Sequence, residues 1–594
     1  MKKIEQYSIF EATIQSPAPH NSHVDVDFYG IFLKDGQETG GIRIKGFYAG
    51  NGDYKIRFMP KEEGLWHFTL YLNSPDRVTE SGTFECIRAT GLNHGAVKPA
   101  GTDFVYDDGT KFVPYGTTIY AWIHQTDEIV KETVETLRES PFNKVRMCVF
   151  PKHAIYNSND PQLYPFEKND AGAWDVNKPS FSYWDHLEKC LNDLLSLGIE
   201  TDLILFHPYD RWGFSKLSLS ENLVYLDYLL RRLSAYRNIW WSLANEYDMV
   251  FTKTNEDWLT IGQYVSSNDP YNHLLSIHNW LRVFDPKTPW ISHLSLQTNI
   301  YEKVLNLVMD YKKPVILDEV RYEGDIEPDW GNISAFELTH RFWAVMMLGG
   351  YCSHGETFYR EDEVLWWAKG GKLYGESPKR IAFLKSLLCE VGGTPKPNLR
   401  IPVQDPNNLP GKAAPENPYA KAVASLTTSE REQLIIGHLN YTATIGDDYT
   451  LYYLGKECRA FLDLELPEND TGCYVEVIDI WEMSRTAIER SARGKLRVKL
   501  PGKEGMAVLV QKLKDYPHYS FPKGYFTMDN TMEEALNNPA AKVIMEKYFS
   551  SFFSLPQFEM ALKMPLGAFC KYSGGRISVK TCNTVSRELN EVPL

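Results

Sequence analysis

The sequence predicts a multidomain α/β protein, with a central (β/α)8 barrel flanked by an N-terminal and a C-terminal β-sandwich and a small helical C-terminal appendage. Three observations predict it. Eight short apolar runs alternate with helical stretches in the middle of the chain. Alternating strands separated by Gly/Asn/Asp turns occupy both flanks. Two of the central runs end abruptly in a Glu. At 594 residues the chain is too long for one hydrophobic core.

Residues 1–95 read as a sandwich of about immunoglobulin size. Its candidate strands are Val24–Phe28, Ile42–Phe47, Tyr54–Phe58 and Leu65–Leu70, with a turn at Gly50-Asn51-Gly52-Asp53. Residues 96–394 carry the barrel rhythm, with strands at 112–118, 144–150, 201–206, 239–244, 274–278, 291–296, 314–318 and 349–353. Helices are expected between most of them, such as Asp127–Glu139, Tyr183–Leu197 and Leu219–Tyr236. A doubly wound sheet is the main rival. The first strand, ending Val113-Pro114-Tyr115-Gly116-Thr117-Thr118, lacks the Gly-rich phosphate loop that such a sheet would place there. Residues 395–418, rich in Pro and Asn, read as a linker. Residues 419–515 read as a second sandwich, with strands at Gln433–His438, Tyr449–Tyr453, Cys473–Ile478 and Met506–Val510. Residues 516–594 read as short helices broken at Pro539.

Composition bounds the function. A net charge of -14 with no basic block argues against a nucleic-acid partner. No run approaches the ~18 apolar residues of a membrane span. Met1-Lys2-Lys3-Ile4 has no apolar segment behind it, and nine scattered Cys without CxxC spacing read as free thiols. The expectation is a cytoplasmic protein without cofactor or metal; a homo-oligomer is left open. Aromatic residues make up 13% of the chain, which suits core packing and also flat ligands such as sugar rings.

In such a barrel the chemistry gathers at the C-terminal strand ends. Asn238-Ile239-Trp240-Trp241-Ser242-Leu243-Ala244-Asn245-Glu246 closes the fourth strand on an amide and an acid. Pro314-Val315-Ile316-Leu317-Asp318-Glu319 closes the seventh in the same way. The first strand leads to Tyr120 and Trp122; the second carries Arg146 and leads to Lys152; the third gives His207 and Tyr209. His278 and Trp280 follow the fifth, His293 is placed on the sixth, Tyr322 follows the seventh, and His354 and Glu356 follow the eighth. Two carboxylates at facing strand ends can cleave an acetal: one donates a proton to the leaving oxygen, the other attacks carbon or activates water. Glu246 and Glu319 are therefore the candidate catalytic pair. Asn245 would bind a sugar 2-OH and Arg146 would hold the nucleophile ionised, with His207, His278, Trp122, Trp280, His293, Tyr322, His354 and Glu356 as candidate substrate contacts.

Ala244-Asn245-Glu246 with Glu319 resembles glycoside hydrolase clan A. In that clan the Glu after Asn is the acid/base and the strand-seven Glu the nucleophile, so the resemblance implies those roles for Glu246 and Glu319. The stretches Gly46-Phe47-Tyr48-Ala49-Gly50-Asn51-Gly52-Asp53-Tyr54, Arg57-Phe58-Met59-Pro60 and Glu63-Gly64-Leu65-Trp66 resemble the sandwich that precedes such barrels in a group similar to apiosidases and putative endoglucanases. The resemblance implies a retaining glycosidase; the absent leader points to small saccharides or glycosides, and inserts at 151–180 and 207–219 to exo-cleavage. Two rivals stand beside it. A metal-dependent barrel hydrolase would use the strand-end His residues, although neither His-x-His on the first strand nor HExxH occurs. A carbohydrate-binding scaffold without activity would not need Glu246, Glu319, Asn245 and Arg146 together.

Overall fold

The computed structural model describes residues 1–37, 40–73, 77–398, 425–427, 430, 441–468, 472–513 and 524–594. The chain forms two compact units, Met1–Lys385 and Ser386–Leu594.

The first unit begins with two packed antiparallel sheets. Lys2–Glu5, Glu80–Ile87, Gly64–Leu72, Phe28–Lys34 and Ile42–Lys45 lie side by side in that order, with one parallel edge pair; Phe10–Gln15, Asp53–Phe58 and Phe47–Tyr48 form the other sheet. Alternate residues point inward, so Phe10, Phe32, Phe58, Phe68, Phe84 and Trp66 meet between the layers. Phe10 stacks on Phe84 and Phe32 on Phe58, each pair with ring centroids 4.2 Å apart. Val24–Val26, expected as a strand, is not one: the Ser22 hydroxyl accepts from the Val24 and Asp25 amides, taking the donors a ladder would need.

The sandwich is held to the barrel by buried charge. Arg57 donates to both Glu188 oxygens at 2.6 and 2.9 Å, and Arg232 closes on the same carboxylate. A fork on a carboxylate is the arrangement in which a buried Arg keeps its charge.

The barrel strands are β1 (Tyr115–Thr118), β2 (Lys144–Cys148), β3 (Glu200–Phe206), β4 (Ile239–Ala244), β5 (Leu275–Ser276), β6 (Leu294–Gln297), β7 (Val315–Glu319) and β8 (Tyr351–His354). All seven neighbouring pairs in the sheet are parallel, β8 pairs with both β7 and β1, and a single bridge from His278 to Ser295 links β5 to β6, so the sheet all but closes. The strands are buried on both faces because helices cover the outside. Lys144 and Arg146, two apart on β2, face inward together. Lys144 Nζ lies 2.7 Å from both Asp202 on β3 and Asp318 on β7, and Ser295 and Ser353 hydroxyls complete the Asp318 shell at 2.6 and 2.8 Å. Lys144, Arg146, Asp202 and Asp318 are all fully buried.

The second unit holds a six-stranded antiparallel sheet, ordered Lys396–Pro397, Tyr441–Ile445, Tyr449–Tyr453, Met506–Lys512, Cys473–Asp479 and Ser484–Ala492, with the hairpin Phe461–Leu466/Gly494–Lys499. Lys396–Pro397 is thus a sheet edge rather than linker; the rest of the expected linker from 399 on, and the strand expected at Gln433–His438, lie outside the described residues. Met532–Asn537, Pro539–Phe553, Phe558–Ala561, Leu566–Tyr572 and Val579–Leu589 are helices around their own apolar core. Pro539 opens the second of them, where its missing N–H costs nothing. Cys570 and Cys582 are joined in a disulfide, correcting the expectation of nine free thiols; the other seven are free. Their twelve-residue spacing matches no short motif, because the pairing is set by packing between two helices, and the compartment argument built on free thiols loses its basis. Among the described residues no helix is long and apolar enough to cross a membrane.

Lys144→Met would leave Asp202 and Asp318 buried without their shared cation. A loss of about 3–5 kcal/mol is expected in urea unfolding followed by Trp fluorescence, against about 0.5 kcal/mol or less for Lys131→Met on an exposed helix face.

Candidate active site

The two candidate carboxyls are each placed by a break in regular backbone. On β7 the register with β6 slips: Leu296 faces Leu317, but Gln297 faces Glu319. Asp318 is the extra residue of a β-bulge, so successive acids need not alternate faces. Asp318 joins the buried ion layer, and Glu319 emerges at the strand end, 4% exposed. On β4 the strand stops at Ala244, and Glu246 takes a left-handed backbone, φ +48 and ψ +58. A non-Gly residue there is strained and marks a position its surroundings over-determine. The Glu246 amide donates to His278 Nδ1 at 3.3 Å, fixing the turn.

Glu319 Oε1 is met by the Tyr120 hydroxyl and by Arg146 Nη1 at 3.4 Å; Arg146 also donates to the Tyr120 oxygen at 3.1 Å. Tyr120 lies 3.0 Å from Asn245 Oδ1 as well, and its one proton serves one acceptor at a time. Asn245 Nδ2 and Glu246 Oε2 are buried polar atoms with no protein partner. The Tyr209 hydroxyl is close enough to Glu246 to favour its ionised form. Burial pushes Glu246 upward, the Glu319 charge adds to this, and Tyr209, Lys152 and Arg146 pull it back, leaving it at about 7. The two carboxyls therefore feel each other's charge. Lys152, 5% exposed, sits over the Tyr120 ring at 3.3 Å and near Tyr209 at 4.3 Å, and burial lowers its pKa.

The remaining sequence candidates divide. Tyr322 is buried beside Glu319, whose charge, after burial, drives its phenol well above the ordinary range. Trp280 is 42% exposed on the rim, its amide held by Asp248 Oδ1 at 2.6 Å, two residues past Glu246. Others are drawn away from any ligand. Trp122 is fully buried, with its indole N–H on Met147 Sδ at 3.1 Å in the core. His293 precedes β6 instead of closing it, at the opposite end of the barrel, against Phe104 and Trp240. His207 binds the Phe150 carbonyl at 3.1 Å, and burial, with the Lys152 charge, drops it to about 4. His278 is neutral and supports Glu246 from behind. His354 is buried against the Thr117 hydroxyl and the Phe142 ring, and Glu356 is buried on the Tyr374 and Gly375 amides; burial raises Glu356 to about 7. Trp367, which lies T-shaped to Tyr120 and tilted to Tyr322, both at 6.2 Å, was not singled out: it sits on a short helix in the loop after β8. The Trp366-Trp367 pair was its only signal.

The sequence matches the apiosidase-like catalytic domain over residues 99–383, and two domain families of unknown function, DUF5060 over 3–73 and DUF5605 over 439–511. A solved structure of a candidate glycoside hydrolase from Bacteroides vulgatus ATCC 8482 is 32% identical, covering 86% of this chain and all of that one, with a TM-score of 0.74. The chain belongs to the apiosidase-like glycoside hydrolases. It is a glycosidase on an eight-stranded barrel, with carbohydrate as its substrate class. A family 5 glycoside hydrolase from the same bacterium, 15% identical over 71% of this chain and 95% of that one with a TM-score of 0.51, shares the fold. No curated protein matches the chain.

Glu246→Gly would release the left-handed strain and remove a desolvated carboxyl. Because the folded pKa of about 7 lies above the usual carboxylate value, the native state loses stability as pH rises toward 7 and carries the full penalty above it. Thermal unfolding should show Glu246→Gly stabilised by about 1 kcal/mol or more at pH 8 and by less at pH 5.

Proposed function

We propose that this glycosidase is retaining, with Glu246 as acid/base and Glu319 as nucleophile. The observation that carries the reading is the contrast between the carboxyls. Glu246 is protonated to about neutral pH and has an oxygen without a protein partner, as a proton donor requires. Glu319 faces an Arg and a phenol through one oxygen, which positions the other for attack. In the first step Glu246 gives its proton to the glycosidic oxygen while a Glu319 oxygen bonds to the anomeric carbon and the C–O bond breaks, leaving a glycosyl ester. In the second, Glu246 takes a proton from water, the water oxygen attacks the same carbon, and the ester bond breaks to free Glu319. The Asn245 amide is free to bind a sugar hydroxyl as charge develops on the ring, and Trp280 and Trp367 offer ring faces for stacking.

We read the substrate as a small saccharide or glycoside cleaved from one end. The insert after β2 carries a hairpin, Phe166–Lys168/Trp174–Pro179, and Asp160 within it accepts from Arg211 Nη2 and Trp212 Nε1 at 2.8 Å each. Trp174 returns a bond to the Trp212 carbonyl at 2.8 Å. Two inserts tied together in this way wall one side of the strand ends, which favours a pocket over an open groove.

Glu319→Ala should lower kcat/KM on an aryl glycoside at least about 10³-fold with KM little changed. With the wild type, kcat/KM should fall as pH rises through about 7, where Glu246 loses its proton. Proton NMR of the first-formed product should show the substrate's own anomeric configuration; the opposite anomer would establish inversion and remove Glu319 as nucleophile.

A further inference from the structure

Past the ends of β7 and β8, three side chains outside the Glu246/Glu319 pair converge. Glu323 and Glu356 are partners in a short parallel bridge and are 2% and 1% exposed. One stretch of backbone serves both: the Tyr374 and Gly375 amides donate to Glu356 at 2.6 and 2.9 Å, and the Glu376 and Ser377 amides to Glu323 at 2.7 and 3.0 Å. That stretch opens the helix Ser377–Val391, whose N-terminal dipole favours negative charge. Each carboxylate oxygen accepts one of these bonds and keeps a further lone pair. Both Oε2 atoms crowd Gly375, where a Cβ would stand 2.6 Å from each, so the two acids converge on one point.

The third group is His354, fully buried. Its Nδ1 is 3.0 Å from Thr117 Oγ1, which also accepts from Trp366 Nε1 at 2.9 Å, and Phe142 stacks on the ring at 4.7 Å. The ring is fixed by Thr117 at its edge and Phe142 on its face. Its Nε2 has no protein partner and lies 3.9 Å from Glu356 Oε2, too far for a hydrogen bond. One ligand atom from each of Glu323, His354 and Glu356 lies within 4.8 Å of the other two.

We propose that Glu323, His354 and Glu356 bind one divalent first-row transition cation, of the Zn²⁺ or Mn²⁺ type, as a structural site separate from glycoside cleavage. Two carboxylates balance its charge, so the buried assembly is neutral. An imidazole in the donor set selects these ions over Mg²⁺ and Ca²⁺, which prefer oxygen alone. Thr117 receives the Nδ1 proton and leaves the Nε2 lone pair free, the outer-sphere support that metal-bound imidazoles have. Side-chain rotation of about 1 Å brings the donors to the ~2.0–2.2 Å bond lengths of such ions. The ion would tie the loops after β7 and β8 together and hold Tyr322, the residue before Glu323, beside Glu319.

The test uses the full chain after dialysis against a chelator. Titration calorimetry with Zn²⁺, Mn²⁺, Ca²⁺ and Mg²⁺ should show one equivalent of Zn²⁺ or Mn²⁺ bound in preference to the other two, and a Tm raised by a few degrees at saturation. Glu356→Gln and His354→Gln should each weaken binding at least ten-fold and abolish the Tm response. Should either variant fail to fold, Co²⁺ on the wild type decides: visible bands of nitrogen–oxygen coordination support the site, and only the spectrum of aqueous Co²⁺ overturns it. Transition-ion binding no tighter than in Glu356→Gln, a preference for Ca²⁺ or Mg²⁺, or a Tm indifferent to chelator would each reduce the pair to a cap on the helix Ser377–Val391.

Discussion

Buried charge inside the barrel is the constraint on which the rest depends. Lys144 and Arg146 rise from β2 into an interior that also holds Asp202, Asp318 and, at its upper end, Glu319. Lys144, Arg146, Asp202 and Asp318 have no exposed surface, so each depends on its partners staying in place. The consequence is geometric. Arg146 stands 3.8 Å from Asp202 and 3.4 Å from Glu319, and Tyr120 lies between Arg146, Glu319 and Asn245. A site built this way has its donors aimed before substrate arrives, which is the condition for electrostatic stabilisation of a developing charge.

The same layer gives the two carboxyls different surroundings. Glu319 stands over the cationic column, while Glu246 stands one step off it, in a left-handed turn supported by neutral His278. Burial raises the Glu246 pKa, and the neighbouring Glu319 charge adds to the rise. Two local departures from regular strand structure, the bulge at Asp318 and the turn at Glu246, aim the side chains. They occur at the site and nowhere else on those two strands, as expected where backbone strain serves position.

The barrel strands were legible because buried runs such as Ile239–Ala244 and Val315-Ile316-Leu317 are apolar, and strand ends were legible where an amide or acid interrupts such a run, as at Asn245-Glu246 and Asp318-Glu319. The same cue misled at His293. A polar residue at the start of a strand looks like one at the end when the boundary is uncertain by three residues, and β6 begins one residue after it. Trp122 shows another limit: an aromatic at a strand end stacks on ligand or fills core according to the turn that follows, and here a short 3-10 turn folds it onto Met147. Pairings between separate elements left no pattern at all. Glu323 with Glu356, and Cys570 with Cys582, are brought together by packing that no local spacing encodes.

The most direct measurement is covalent trapping. A 2-deoxy-2-fluoro glycoside with an activated leaving group slows breakdown of the glycosyl ester, and peptide mass mapping then locates the sugar. The account predicts one fluoroglycosyl group per chain, on Glu319. A label on Glu246, or turnover-dependent inactivation with no label on either acid, would contradict it.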